Sequence, residues 1–187
     1  MDQPTLYTQR LILRPYTVED APAVQRLAGA AAVAATTLNI PHPYTDGMAE
    51  SWIATHRAAW DAGTDVTFAI TTPTNDLRGT VGLHITRAHD RGEMGYWIGE
   101  PYWGQGLATE AVSALLTFAF ETLALHRVQA SHLPRNPASG RVMQKVGMQR
   151  EGLHRGRYKK GAAYEDVVEY AVLRSEWETR SARNERP

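Results

Sequence analysis

Residues 100 to 110 read Glu-Pro-Tyr-Trp-Gly-Gln-Gly-Leu-Ala-Thr-Glu, set between an alternating run, Glu93-Met-Gly-Tyr-Trp-Ile98, and an apolar-periodic stretch beginning at Leu107. A strand, a glycine turn and a helix in that order form a cradle for an anion. Glycines let successive backbone N–H groups converge, and the helix N-terminus adds partial positive charge. A dinucleotide fingerprint would need a further glycine at Thr109, and no Gly-Lys-Ser/Thr phosphate loop follows. The plainer use of the same residues is a tight turn closed by a helix cap.

Working outward, Ala108, Ala111, Val112, Leu115, Ala119 and Leu123 recur at helical spacing, so 107–123 is predicted to be a long helix. Before the glycines, alternation sends Glu93, Gly95 and Trp97 to one face of a strand and Met94, Tyr96 and Ile98 to the other. Val66–Thr72 and Thr80–Thr86 read as a hairpin around Thr-Pro-Thr-Asn-Asp. Toward the N-terminus, Arg10–Pro15 reads as a strand. A helix capped by Thr17 and a second from residue 45 or 46 to Ala62 flank the proline-broken loop 39–44. Downstream, Arg127–Leu133 is a predicted strand and Pro137–Val146 a helix, and strands 148–158 and 163–173 surround Lys159-Lys-Gly161. The predicted class is α/β, with about seven strands and about four helices.

The chain has 187 residues, 43% of them hydrophobic, which suits one folding unit with an ordinary core. Residues 1–177 are expected to form a single domain, and the polar stretch 178–187 a flexible tail. With no cysteine, disulfides, thiolate catalysis and cysteine-ligated metals are excluded. The seven histidines show no metal-ligand spacing, so no metal is expected. Met1-Asp2-Gln3-Pro4 lacks a signal-peptide pattern and no long apolar run exists, which predicts a cytoplasmic protein with no membrane partner. Net charge is zero, giving no general reason for nucleic-acid binding, yet residues 126–160 carry nine Lys/Arg against Glu151 alone. That stretch could meet an anionic cosubstrate, attract a partner, or lie solvated.

Trp103-Gly-Gln-Gly106-Leu-Ala108 resembles the pyrophosphate loop of the GNAT superfamily of acyl-CoA-dependent N-acyltransferases, with Trp103 in place of the usual first Arg or Gln. Asn136-Pro-Ala-Ser139, Lys145-Val-Gly147-Met148 and Glu151-Gly152 resemble a stretch of the RimJ/RimL-like ribosomal-protein N-terminal acetyltransferases. Thr8–Pro15, Ile40–Tyr44 and Gly92–Trp97 sit where that group has comparable segments, so the likeness covers roughly residues 7–175. It implies a GNAT fold, a mixed, mostly antiparallel sheet splayed at the strand around 93–98. It also implies acetyl-CoA as cosubstrate and transfer of an acetyl group to a primary amine in a ternary complex.

Site roles follow from the resemblance. Glu93 is implied as general base or amine ligand, and Ser139 as proton donor to the leaving thiolate, because the tyrosine many GNAT enzymes use is replaced by Met143. Backbone groups of Gln105, Gly106, Leu107, Ala108 and Thr109 are implied for the pyrophosphate, and those of Trp97, Ile98 and Gly99, freed by a β-bulge, for the acyl and pantetheine arm. Asn136 is either a helix cap or a contact to that arm, while Ser139 has capping as its plainer role. His42 and Tyr44, with Trp52 and His56 nearby in sequence, are placed around the incoming amine. A protein N-terminus is the first acceptor considered, a small amine the second, and a non-catalytic acyl-CoA-binding module the rival from another class. The enzyme is expected to be a monomer or homodimer.

Overall fold

The computed structural model describes residues 2–184. The chain starts as two short strands, β1 (Leu6–Tyr7) and β2 (Ile12–Arg14), followed by α1 (Ala21–Ala28) and α2 (Ala31–Thr36). Thr17 and Asp20 make the predicted capping box ahead of α1, and Arg14 grips the Asp20 carboxylate with both arms of its guanidinium at 2.7 and 2.8 Å. α3 (Met48–Ala62) begins and ends on left-handed glycines, Gly47 and Gly63. Then come β3 (Asp65–Thr71), β4 (Leu77–Thr86) and β5 (Arg91–Ile98) as an antiparallel meander, with α4 (Leu107–Thr117) after the glycine turn. The predicted helix is continuous, but its last turn, 118–122, widens to π geometry, and Leu123 N–H bonds to Phe118 C=O at 3.0 Å. β6 (Arg127–His132), α5 (Pro137–Lys145), β7 (Gln149–Lys160), β8 (Ala163–Leu173) and α6 (Arg174–Asn184) complete the chain.

Among the described residues this makes one eight-stranded sheet ordered β1-β2-β3-β4-β5-β6-β8-β7, with six α-helices. The elements beyond the sequence reading are β1, α2 and α6, and each lacks a periodic apolar signal. β1 is two residues long with Tyr7 exposed, and α2 is a short alanine-rich turn without a side-chain cap. α6 is polar along its length, so the expectation of a loose tail from residue 178 is corrected: the chain stays helical to Asn184. Trp177, packed 5.4 Å from Phe120, anchors it to the core, while residues 185–187 lie outside the described part.

Two apolar layers cover the sheet. One face packs Phe68, Val81 and Met94 against Leu107, Val112 and Leu115 of α4, and the other packs Ala69 and Trp97 against α1 and α3. The decisive irregularity is at β5. It pairs in parallel with β6 only through Arg91, Gly92 and Glu93, opposite Arg127, Val128 and Gln129, and the two strands then part. The expected bulge is corrected: β5 keeps an unbroken register with β4 from Gly79↔Ile98 to Thr86↔Arg91, so the splay opens only on the β6 side.

On the α3 face, Trp52 and His56 meet edge to face at 4.4 Å between centroids, with Tyr16 5.4 Å from His56. Neither ring nitrogen of His56 has a partner among the described residues, and burial pushes its pKa down to about 4. The unfolded chain therefore binds that proton first, so this stability is complete above about pH 6.5 and is lost as pH falls toward 4. Discounted for the ring's partial exposure, the loss is about 2 kcal/mol. Urea midpoints should fall more steeply between pH 7 and 4.5 in the native chain than in His56→Leu; parallel profiles would contradict the assignment.

Candidate active site

A cavity of about 1360 Å³ runs through the splay, reaching from α1–α3 on one face to α4 and α5 on the other. Its size exceeds the roughly 300–1,000 Å³ of ordinary ligand pockets, as a site for two substrates would.

On the α4 side the wall is the glycine turn. Gly104 and Gly106 hold φ of +75° and +78°, a region side chains disfavour, which is why glycine stands at both positions. The first bond of α4 runs from Glu110 N–H to Gly106 C=O, so the N–H groups of Leu107, Ala108 and Thr109 have no partner within the helix. All three residues line the cavity at the positive end of the helix dipole. Trp103 explains the departure at the first anchor: its indole N–H bonds to Ile98 C=O at 2.6 Å and pins the end of β5 to the turn. Arg141 and Lys145, one turn apart on α5, line the same side. A phosphate-bearing group thus meets backbone donors, a helix dipole and two cations.

Asn136 caps α5 by accepting from Ser139 N–H at 3.3 Å, so the capping role belongs to Asn136 and not to Ser139. Its amide also donates to Thr36 C=O at 3.3 Å, where Arg135 and Lys160 donate to carbonyls of the same α2 terminus. These contacts hold α2 across the cleft. With its backbone N–H engaged, the Ser139 hydroxyl faces Tyr96, whose phenol oxygen lies 2.8 Å from Ser139 Oγ and donates to Ser139 C=O at 3.0 Å. Burial pushes the Tyr96 pKa up to about 12, so its proton is retained through the physiological range. Met143 is buried in the core beneath them.

On the other face, Glu93 is exposed to the cavity at the root of the splay, cross-strand from His84 and Gln129, and Gln129 donates to its carboxylate at 3.3 Å. Asp46, Asp65 and Tyr44 line this end, and among the described residues the only Lys or Arg in the wall are Arg141 and Lys145 at the other. Glu93 and Tyr96 stand on opposite faces of β5, so an acyl group in the splay would have an amine on one side and its leaving group on the other.

Of the residues singled out by sequence, Glu93, Trp97, Ile98, Gly106, Leu107, Ala108, Thr109, Asn136, Ser139 and Tyr44 line one cavity. His42, Gly99 and Gln105 stand outside its wall. The His42 ring is turned to Gly29 C=O at 3.1 Å, and Gly99 is pressed against Leu27. Gln105 presents its carbonyl to Arg10 at 3.0 Å. Sequence reasoning missed Tyr96, and named Arg141 and Lys145 only as part of the basic segment 126–160. The i, i+4 spacing of the last two was a usable signal, but Tyr96 acquires its partner only through the fold. The basic segment divides: besides Arg141 and Lys145 in the wall, Arg127 and Arg135 are paired with Glu151 and Glu165. No cluster of metal-ligating side chains occurs among the described residues, and no helix there is long and apolar enough to cross a membrane.

A mixed sheet opened at an inner strand, with an N–H cradle at one side of the opening and a carboxylate at the other, is the architecture of an acyl-CoA-dependent acyltransferase. Residues 10–149 match the acetyltransferase (GNAT) domain, and the chain belongs to that family, whose members use acetyl-CoA. It is 33% identical over 176 residues, 92% of this chain and 98% of the relative, to "Uncharacterized N-acetyltransferase p20" of Bacillus licheniformis. A shorter stretch, 84 residues covering 45% of this chain and 43% of the relative, is 30% identical to "[Ribosomal protein uS5]-alanine N-acetyltransferase" of Escherichia coli. Among solved structures, a GNAT-family acetyltransferase from Bacillus anthracis superposes with a TM-score of 0.82 at 26% identity, covering 92% of this chain and 100% of that one. The protein is therefore an N-acetyltransferase with the GNAT fold.

Proposed function

We propose that this enzyme acetylates the α-amine of a protein N-terminus, of the ribosomal-protein type, in the cytoplasm. The observation that carries the reading is the single cavity crossing the splay, with donors for a pyrophosphate on one face of β5 and Glu93 on the other. The likeness to the uS5-alanine enzyme supports the choice of acceptor. Leu107, Ala108 and Thr109 N–H groups take the pyrophosphate, Arg141 and Lys145 add charge, and the β5 backbone at Trp97 and Ile98 lines the acyl group's path.

The amine attacks the thioester carbonyl directly: the C–N bond forms and the C–S bond breaks. With no cysteine in the chain, a thiol-borne acyl-enzyme has no carrier. An α-amine, pKa about 7.7–8.0, is already partly neutral at pH 7, so Glu93 need only hold the ammonium and accept its proton, directly or through water. The departing sulfur takes a proton from Ser139 Oγ–H, whose oxygen the contact with Tyr96 holds in place, and solvent returns that proton to Ser139.

One observation favours a second acceptor class. Asp46, Asp65 and Glu93 give the acceptor end a carboxylate lining, which also suits a small polycation. Thiol release from acetyl-CoA, measured on Ala- and Ser-starting peptides, N-blocked lysine peptides, polyamines and amino sugars, separates the two. Turnover confined to free N-termini is expected. Turnover confined to small amines would keep the reaction and replace the acceptor, and silence across the panel with acetyl-CoA still bound would favour the non-catalytic module.

A further inference from the structure

The glycine turn has an outer side, and Arg10 holds it. Arg10, in the turn between β1 and β2, reaches across the molecule to the start of α4. Its Nε donates to Glu110 Oε2 at 2.7 Å, its backbone N–H donates to Glu110 Oε1 at 2.8 Å, and its Nη1 donates to Gln105 C=O at 3.0 Å. Thr8 adds its hydroxyl to Glu110 Oε1 at 2.6 Å. The Arg10 Nη2 lies 3.5 Å from where a Cβ on Gly106 would stand, so the guanidinium sits directly behind the cradle.

The arrangement answers an electrostatic problem. Glu110 is in the first turn of α4, where a carboxylate suits the helix dipole but repels any anion brought to the same N-terminus. Burial would push the Glu110 carboxyl up, yet the Thr8 hydroxyl and Arg10 together hold it below its usual range, so the negative charge stays. Trp103, at the head of the loop, carries no charge and is committed to Ile98. The cradle's own charge balance must come from outside the loop.

We propose that Arg10 is a positioning residue for the pyrophosphate of acetyl-CoA: it cancels the Glu110 charge and fixes the Gln105 carbonyl so that the N–H groups of residues 107–109 face the ligand. The proposal rests on the reading of this turn as the pyrophosphate site. It assigns the N-terminal Thr8-Gln-Arg10 segment a part in cosubstrate selection although none of it lines the cavity.

The test compares acetyl-CoA with S-acetylpantetheine, which lacks the pyrophosphate, in the wild type, Arg10→Gln and Arg10→Gln/Glu110→Gln. In Arg10→Gln the KM for acetyl-CoA should rise about tenfold or more with a much smaller change in kcat, and the preference for acetyl-CoA over S-acetylpantetheine should narrow by the same factor. The double variant, which removes the uncancelled carboxylate, should recover most of that preference and guards against a single variant that folds poorly. Equal losses on both substrates would mean a purely structural clamp and overturn the proposal, as would an unaltered preference in Arg10→Gln. If the wild type itself made no distinction between the two substrates, the pyrophosphate reading would fall first and the proposal with it.

Discussion

Ser139→Ala is expected to lower kcat about a hundredfold while the dissociation constant for acetyl-CoA stays within about threefold. The hydroxyl is the α5 group that lies within hydrogen-bond distance of the Tyr96 phenol in the cavity, and Met143, seven residues after Asn136, is buried and has no proton to give. A coenzyme thiol with an ordinary pKa near 8.5 can leave partly as thiolate at pH 7, so the loss should sit at the lower end of the range for general acids. Tyr96→Phe should cost less, about tenfold, because Ser139 keeps its own proton. If the two hydroxyls form one chain, the double variant should be no worse than Ser139→Ala, whereas independent groups would multiply their losses. Because the Tyr96 pKa lies at about 12, no Tyr96 ionisation should appear in the alkaline limb below about pH 11. Rates for both single variants and the double, with isothermal titration of acetyl-CoA, decide the matter. An undiminished kcat in Ser139→Ala would remove it from the mechanism.

Arg14→Met should lower stability by about 3–5 kcal/mol. Arg14 and Asp20 are 17% and 9% exposed in their side chains, and the carboxylate also accepts from Thr17 N–H at 2.9 Å. Burial alone would push Asp20 up, but Arg14 and the Thr17 N–H bring it below the ordinary value. In the native chain the pair therefore stabilises above the unfolded aspartate pKa of about 3.9 and is lost as pH falls through the depressed folded value. Without Arg14 the sign reverses: burial favours the protonated acid, and the gap between variant and native chain should narrow toward pH 4. Urea melts at pH 7 and pH 4 test both statements. A loss below about 1 kcal/mol at pH 7 would place the pair with ordinary surface bridges.

The glycine turn and the helix behind it are legible in sequence because each needs only neighbours along the chain: left-handed backbone calls for Gly104 and Gly106, and the burial of α4 follows from its repeat. The splay is a different kind of fact. It exists because β6 contributes only Arg127, Val128 and Gln129 to β5, a non-local choice that no period in residues 91–98 records. Tyr96 looked like one more apolar strand residue until α5 brought Ser139 beside it from 43 positions away. His42 is placed near the amine by the resemblance alone, and its contact with Gly29 C=O, 13 positions away, is of the same non-local kind. A helix as polar as α6 has no sequence mark except Trp177, whose packing partner Phe120 lies on a distant element.

The unbroken β4–β5 register has a further consequence. Beyond Glu93, β5 is a strand with one neighbour, and so has the unpaired backbone of a sheet's edge while standing in the sheet's interior. Edges at a sheet's rim invite strands from other chains and are commonly blunted by charge or brevity. This one carries Met94, Tyr96 and Ile98 with no charge to defend it, and its protection is purely topological, since α5 and the α2 segment tied to Asn136, Arg135 and Lys160 close it off. The segment that walls the cleft thus also stands over backbone that would otherwise be open to strand addition. One set of hydrogen bonds at the end of α2 therefore both walls the cleft and covers an interior edge.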